Sequence, residues 1–147
     1  MYKRILVATD GSKLSELAVQ HALRLADLTG AEVVALKVVP RYPQTYFEGG
    51  VALATEEIKK IEQQWHDEAL AVVNAVKAKG QQQQVRVKAT TVKSDLIAEA
   101  IIAAAKRHKV DLIVMASHGR RGLKRLLLGS ETQQVLTHSH IPVLVLR

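Results

Sequence analysis

Apolar and polar positions form two kinds of block along the chain. In the first kind of block, hydrophobic residues recur at intervals of three and four, as on the buried face of a helix. Blocks of the second kind are short and almost continuously apolar, which is typical of strands covered on both faces of a parallel sheet. The chain has five such runs, at residues 4–9, 32–38, 85–92, 111–116 and 142–146. This alternation predicts repeated β-α-β units and an α/β fold.

The first helix follows the first strand. Its apolar positions extend from Leu14 to Leu28, with Ser12 placed to cap its start and Gly30 to end it. His21 falls on the apolar face of this helix, so we expect it to be a buried core residue.

Three further helices are predicted. The second covers residues 55–79 and is closed by Gly80, and the third covers residues 94–108 with Leu96 facing inward. The fourth is short and covers Ser130–His138. No internal repeat or linker is visible, so residues 1–147 are expected to form one domain.

Composition limits the classes of protein to which the chain can belong. Hydrophobic residues make up 48% and charged residues 24%, as in ordinary soluble domains. No apolar run approaches the ~20 residues of a membrane span, and no secretory cleavage pattern opens the sequence. Cysteine is absent, which excludes disulfides and thiolate chemistry. We therefore expect a cytoplasmic protein with no membrane partner.

The formal net charge of +7 permits binding to polyanions. Aromatic residues are only 3% of the chain, too few for the stacking surface of a single-strand binder, so nucleic acid is not the expected partner. Part of the positive charge is concentrated at Arg120, Arg121, Lys124 and Arg125. These residues either form a basic solvent-exposed surface or attract a phosphate group.

Residues 40–50 differ from the rest of the chain. The segment holds two prolines, a glycine pair and the aromatic residues Tyr42, Tyr46 and Phe47. Irregular segments of this length are often functional. A lid over a ligand, a partner surface and a simple surface excursion are all consistent with it.

Residues 114–130 carry the most specific chemical signal. An apolar strand leads into a basic loop, and the loop ends at Gly129-Ser130, at the head of the fourth helix. Glycines let backbone amides approach a ligand, and a helix N-terminus offers free N–H groups and partial positive charge. The segment is neither a Walker loop nor a dinucleotide fingerprint, because it lacks both glycine patterns. It predicts a site for an anion, and above all for a phosphate chain.

The spacing of these residues resembles the phosphate-binding motif of the universal stress protein family, Gly-x2-Gly-x9-Gly-Ser/Thr. The motif stands here as Ala116-x2-Gly119-x9-Gly129-Ser130, and the resemblance extends from residues 3–10 to residues 141–147. It implies a doubly wound, Rossmann-like α/β fold, with five parallel strands in the order 3-2-1-4-5 and helices on both faces. It also implies a stress-response sensor or switch that binds ATP, or AMP or ADP in its place.

The resemblance also assigns the nucleotide contacts. Asp10 and the backbone of Val38 would hold the adenosine, although Asp10 is equally suited to cap the first helix. The full set of expected nucleotide-binding residues is Ala8, Thr9, Asp10, Val38, Met115, Ala116, His118, Gly119, Arg120, Gly129, Ser130, Glu131 and Thr132.

Three positions of the motif leave alternatives open. Ala116 stands where the family usually has glycine; if the backbone there is left-handed, alanine costs roughly 1–2 kcal/mol, and otherwise little. Ser130 and Gln133 have the spacing of a capping box, which could explain them without a ligand. Glu131 would repel a phosphate, so we expect its side chain to point away and leave the amides of residues 130–132 to the ligand.

Histidines supply the remaining candidate chemistry. His118 could bond a phosphate or ribose, or brace the loop. Ser117, His118 and Asp10 suggest a hydrolase triad, but no G-x-S-x-G elbow is present and neighbouring serine and histidine are not expected to face each other. His138 and His140 lack a third ligand, so no metal site is expected there.

These observations lead to one function and one alternative. No catalytic residue is evident, so any ATP hydrolysis should be slow, and Mg²⁺ or Mn²⁺ would be held through the phosphates. The last strand, Val143–Leu146, is expected at a sheet edge, where the family resemblance implies a homodimer. The alternative is a dimeric stress-response interaction module that works without nucleotide.

Overall fold

The computed structural model describes residues 1–43, 55–119 and 128–147. Most of the segment 40–50, and the basic residues Arg120, Arg121, Lys124 and Arg125, lie outside these ranges. Strands and helices alternate along the described residues, which form β1 (Arg4–Ala8), α1 (Lys13–Thr29), β2 (Glu32–Val39), α2 (Thr55–Gln82), β3 (Val87–Lys93), α3 (Ile97–Arg107), β4 (Leu112–Ala116), α4 (Ser130–His138) and β5 (Val143–Leu146).

The five strands form one parallel sheet in the order β3-β2-β1-β4-β5, as predicted. β1 lies at the centre, where Val7 pairs with Ala35 of β2 on one side and with Val114 of β4 on the other. The chain winds outward from β1 in both directions, so the strand order reverses between β1 and β4. Ligands of doubly wound sheets bind at the carboxyl ends of such a strand pair.

Alternate residues of β1 supply two separate hydrophobic cores. Ile5 and Val7 pack with α1 and α2 on one face, and Leu6 packs with α3 and α4 on the other. All three side chains are fully buried. Helices therefore cover both faces of the sheet, which explains why its strands are continuously apolar rather than alternating.

The predicted ends of α1 are confirmed. The amide of Ser15 donates to Ser12 Oγ at 3.3 Å, and Gly30 closes the helix in the left-handed conformation at φ +75°. The expectation for His21 is wrong. Its side chain is exposed, and Nδ1 lies 3.0 Å from the carbonyl of Leu17, so the ring bonds to its own helix instead of entering the core.

α2 is the longest helix, with 28 residues, and it packs on the sheet through a narrow stripe that includes Ala69, Val73 and Val76. The rest of its surface is largely polar, with Glu56 and Glu57 in the first turn. Within the described ranges, no helix combines the length and the apolar character needed to cross a membrane.

Gly80 does not end α2 as predicted, because the helix continues to Gln82 and Gly80 is buried within it. A Cβ at Gly80 would lie 2.3 Å from Val87 Cγ2 and 3.0 Å from the carbonyl oxygen of Val85. The glycine therefore allows α2 to approach β3 closely. The left-handed residue of this connection is Gln84, at φ 60°.

α3 begins at Ile97, later than predicted. Ser94 Oγ accepts a hydrogen bond from the amide of Leu96 at 3.1 Å, and this local turn replaces a first helical turn. Leu96 is 59% exposed rather than directed into the core. Likewise, β3 begins at Val87 instead of residue 85, because the amide of Val85 still bonds to Gly80.

Replacing Gly80 with alanine should destabilise the protein although alanine is the better helix former. Alanine is more favourable than glycine within a helix by about 1 kcal/mol. Overpacking of its methyl group against β3, however, typically costs about 1–3 kcal/mol. We expect a net loss in the free energy of unfolding measured by urea denaturation. Val87→Ala should partly rescue Gly80→Ala in a double-mutant cycle. Equal or higher stability of Gly80→Ala would contradict the close packing of α2 on β3.

Candidate functional site

A cleft opens at the carboxyl ends of β1 and β4, where the strand order reverses. Its cavity has a volume of about 170 Å³. Three strands, three helices and the turns after β1 and β4 contribute residues to it: Ala8, Thr9, Asp10, Ser15, Leu36, Lys37, Val38, Ile97, Ile101, Met115, Ala116, His118, Gly119, Glu131 and Thr132.

The turn after β1 places Asp10 at the cleft. Gly11 takes the left-handed conformation at φ +80°, and Asp10 Oδ1 accepts a hydrogen bond from the amide of Ser12 at 2.9 Å. A Cβ at Gly119 would lie 2.8 Å from the other carboxylate oxygen, Oδ2. Asp10 thus both supports the start of α1 and faces the turn after β4, so the structural role and the ligand role remain compatible.

Thr9 fixes the end of β1 relative to α1. Its amide donates to the carbonyl of Leu36 at 2.9 Å, and its Oγ1 lies 3.1 Å from Ser15 Oγ. Thr9 and Ser15 are both buried. Both residues line the cleft, and their hydroxyls satisfy each other. Buried polar groups that are paired in this way hold their geometry.

Two hydrogen bonds attach the start of α4 to the end of β4. The amide of Gly129 donates to the carbonyl of Ser117 at 2.7 Å, and the buried hydroxyl of Thr132 donates to the carbonyl of Ala116 at 2.9 Å. A Cβ at Gly129 would lie 3.2 Å from the carbonyl oxygen of Ser117 and 3.3 Å from His118 Cα. Glycine is therefore needed at position 129 for close approach of two backbone segments.

Ala116 fits its position without backbone strain. It is the last residue of β4, and it is not among the residues with positive φ. The cost of a left-handed alanine therefore does not arise, and the methyl group simply forms part of the cleft lining.

Ser117 and His118 do contact each other, contrary to expectation. The chain bends after β4, which brings Ser117 Oγ within 3.2 Å of His118 Nδ1. Ser117 is only 5% exposed and does not line the cleft, whereas His118 does. The serine is thus placed to orient the imidazole ring rather than to attack a substrate.

Ser130 and Gln133 do not form the capping box that their spacing allows. Gly129 is the N-cap and makes no side-chain cap bond, while Ser130 is the first helical residue. Gln133 Nε2 instead donates to the carbonyl of Leu128 at 3.1 Å. The first amides of α4 belong to the set that finds no acceptor within a helix.

Glu131 is one of the lining residues of the cleft. Its carboxylate oxygen Oε2 accepts a hydrogen bond from Ser130 Oγ at 3.0 Å, and the orientation of its side chain away from a phosphate stays a prediction. An acidic group in the first turn also interacts favourably with the helix dipole. A carboxylate and a set of phosphate-binding amides therefore share one helix end.

The apolar lining of the cleft comes partly from residues that the sequence did not single out. We use this term for Leu36, Val38, Ile97, Ile101 and Met115. Leu36, Ile101 and Met115 are buried, and Ile97 is 40% exposed at the mouth. Leu36, Ile97 and Ile101 were not predicted, and their only signal was spacing: Leu36 lies on the same face of β2 as Val38, and Ile97 and Ile101 are one turn apart on α3.

Most of the predicted nucleotide-binding residues meet in this cleft. Gly129 and Ser130 lie just beside it at the start of α4, and Arg120 lies outside the described residues. Besides Leu36, Ile97 and Ile101, the sequence analysis did not identify Ser15 and Lys37 as cleft residues. Ser15 lies within the predicted first helix, and Lys37 within the predicted strand at residues 32–38.

A perturbed histidine lies at the opposite end of the sheet. Burial, together with the neighbouring cations Lys88, Arg107 and Arg4, lowers the pKa of His108 from its usual value. The guanidinium of Arg4 also donates to the carbonyl of His108 at 3.1 Å. This cluster follows α3 at the amino ends of the strands, so it is no part of the cleft.

Comparison with known proteins agrees with the fold and the motif. Residues 1–147 match the family model described as the universal stress protein family. Universal stress protein MJ0531 of Methanocaldococcus jannaschii is 35% identical over 149 aligned positions, which cover 100% of this chain and 83% of that protein. Universal stress protein YxiE of Bacillus subtilis is 33% identical, with 100% of both chains covered.

Solved structures show the same architecture. The structure of MJ0577 from Methanocaldococcus jannaschii has a TM-score of 0.76 and 32% identity, covering 99% of this chain and 96% of that chain. Universal stress protein UspA from Lactobacillus plantarum has a TM-score of 0.86 at 23% identity, with 99% and 98% covered. With the parallel sheet, the glycine motif and these relatives in agreement, the chain belongs to the universal stress protein family.

Proposed function

We propose that this universal stress protein binds an adenine nucleotide, ATP or AMP or ADP, in the cleft between β1 and β4, and that it acts as a sensor or switch in the stress response. The observation that carries this proposal is the layout of the cleft. An apolar lining lies beside a carboxylate, and it leads to the uncapped N-terminus of α4. A cytoplasmic location, where such nucleotides are abundant, is part of the proposal.

The apolar part of the cleft suits the adenine ring. Sites for small ligands combine apolar walls with a few polar groups that fix orientation. Asp10 is the carboxylate on the β1 side, and the backbone of Val38 is the polar group on the β2 side. A carboxylate can accept hydrogen bonds from the adenine amino group or from ribose hydroxyls. We assign the adenosine to these groups.

The helix end suits the phosphates. The amides of Ser130, Glu131 and Thr132 lie in the first turn of α4, where free N–H groups and the helix dipole favour an anion. No three metal-ligating side chains lie together within the described ranges. Mg²⁺ or Mn²⁺ would accordingly enter with the phosphates and keep most of its water ligands.

Relatives of known structure bear on the ligand class. One universal stress protein, at 22% identity, was solved in complex with cAMP, and another, from Archaeoglobus fulgidus, at 19% identity, in complex with dAMP. At these identities the likeness is one of fold. The case for this chain therefore depends on its own cleft.

The cleft favours binding over chemistry. The hydroxyl of Ser117 is buried outside the lining and pairs with Nδ1 of His118, so it is not presented to a ligand as a nucleophile. We therefore propose that any ATP hydrolysis is slow. The signal of the switch is then whether the cleft holds a nucleotide or not.

The free edge of the sheet at β5 supports a homodimer as part of the proposal. The carbonyl of Pro142 accepts a hydrogen bond from the amide of Ile113 in β4, and that of Leu146 accepts one from the amide of Ser117, just after β4. Because backbone groups alternate along a strand, those of Val143 and Val145 face the open edge. The opposite edge strand, β3, is more polar and carries lysines, which discourage pairing. We assign the contact between subunits to Val143–Leu146.

Nucleotide binding is tested first by thermal unfolding with adenosine, AMP, ATP and Mg·ATP, with GTP and inorganic phosphate as controls. Ligand at about 100 times its Kd stabilises the native state by about 2.7 kcal/mol, which raises the Tm of a domain of this size by roughly 5–10 °C. We expect the shift with adenine compounds only. No shift with any adenine compound at millimolar concentration would reject the proposal.

The assignment of the phosphate site is tested with Gly129→Val. The added side chain would crowd the carbonyl of Ser117 and the backbone of His118 and displace the start of α4. We expect at least a hundredfold loss of AMP affinity by calorimetry. Ala103→Val adds similar bulk at an exposed position of α3 that does not line the cleft, and it should bind AMP normally. Unchanged affinity in a folded Gly129→Val protein would move the phosphate site elsewhere.

The dimer is tested with Val145→Asp, which places a charge on the proposed contact strand. We expect a dimer for the natural sequence and a monomer for the variant by sedimentation equilibrium. Val92→Asp makes the same change on β3 and should leave the dimer intact. Circular dichroism of both variants controls for unfolding. A Val145→Asp protein that remains dimeric would exclude β5 as the interface.

A further inference from the structure

Two negative groups would compete for the N-terminus of α4 if a nucleotide binds in the cleft. One is the phosphate chain of the ligand. The other is the carboxylate of Glu131, a residue of the cleft lining in the first turn of α4. The carboxylate already accepts the hydrogen bond of the Ser130 hydroxyl at 3.0 Å. Ser130 is the hydroxyl residue of the phosphate motif, so its donor is directed to a group of the protein itself.

We propose that Glu131 is a charge-selecting residue that favours adenine ligands with one phosphate over those with three. This inference rests on the proposed function, because it concerns the same cleft. It goes further by naming which adenine ligands the cleft prefers: the monophosphate class, whose single phosphate brings less negative charge near the carboxylate than a triphosphate does.

The selection follows from charge. A phosphate at the helix end must take the Ser130 hydroxyl from Glu131 or bind without it, and in both cases it lies close to a like charge. The repulsion between Glu131 and the ligand grows with each ionised phosphate. The helix N-terminus, in contrast, carries a fixed partial positive charge of about half a unit. Glu131 is exposed, so solvent weakens the repulsion but does not remove it.

Glu131 is the acidic residue in the first turn of α4. Asp10 contributes a second acidic residue to the lining from the β1 side. Lys37 lines the cleft from β2, at the side assigned to the adenosine. At the helix end assigned to the phosphates, the charge of Glu131 therefore opposes part of the attraction that the helix N-terminus exerts on an anion.

The test compares Kd values for adenosine, AMP, ADP and ATP by calorimetry without divalent cations. It uses the natural protein, Glu131→Gln and Glu57→Gln. Glu57→Gln removes the same charge from an exposed residue in the first turn of α2, outside the cleft lining. We expect Glu131→Gln to tighten ATP binding about tenfold, AMP binding by less, and adenosine binding not at all. Glu57→Gln should change none of them.

A salt titration separates charge from shape. If Glu131 acts electrostatically, the gain of Glu131→Gln for ATP should shrink as ionic strength rises from about 0.05 to 0.5 M, because screening shortens the range of the repulsion. A gain that is independent of salt would overturn the charge mechanism.

The outcomes also separate this inference from the proposed function. Equal changes for adenosine and ATP, or an unchanged ATP-to-AMP ratio of Kd values in Glu131→Gln, would overturn charge selection and leave nucleotide binding in place. Failure of every adenine compound to bind both the natural protein and Glu131→Gln would overturn nucleotide binding, and charge selection with it.

Discussion

The cleft depends on the junction between the end of β4 and the start of α4. Two hydrogen bonds hold it, from the amide of Gly129 to the carbonyl of Ser117 and from the hydroxyl of Thr132 to the carbonyl of Ala116. The acceptors are the carbonyl of Ala116, the last residue of β4, and the carbonyl of Ser117 directly after it, where ladder partners run out. Because residues of the helix start donate hydrogen bonds to these two carbonyls, the start of α4 is held at the point where the strand order reverses. A helix end, a bend and an apolar pocket thereby meet in one place.

This junction constrains which residues can stand around it. Gly129 has no room for a Cβ against the bend, and a Cβ at Gly119 would meet Asp10. The first constraint is imposed by backbone atoms, which cannot rotate away, and the second by a carboxylate that already bonds to the amide of Ser12. Ala116 faces neither restriction, because it remains in the extended strand. The motif can therefore lose its first glycine at Ala116 without backbone strain, whereas a side chain at position 129 would press on the backbone of the bend.

The fold was largely predictable because its signals are periodic. Buried parallel strands are visible in the sequence as continuous apolar runs, and the ends of α1 are visible as the capping residues Ser12 and Gly30. Errors arose where a tertiary contact decided the outcome. Gly80 was interpreted as a helix end but serves the packing of α2 on β3, and His21 shares a helical stripe with core residues yet stays at the surface. In the cleft, the residues near the glycine motif were predicted, whereas Ile97 and Ile101 were not, because only the folded sheet brings α3 to that edge.

The nine-residue spacing between Gly119 and Gly129 is informative because it marks a loop whose ends meet. Gly129 lies against His118, the residue before Gly119, although ten positions separate the two glycines in the sequence. A loop that closes in this way brings the turn after β4 and the N-terminus of α4 to the same ligand. In the proposed function, such closure defines where a phosphate lies, but not how much charge the site accepts. The charge preference that we propose depends on the helix start, where Glu131 is the acidic residue of the first turn.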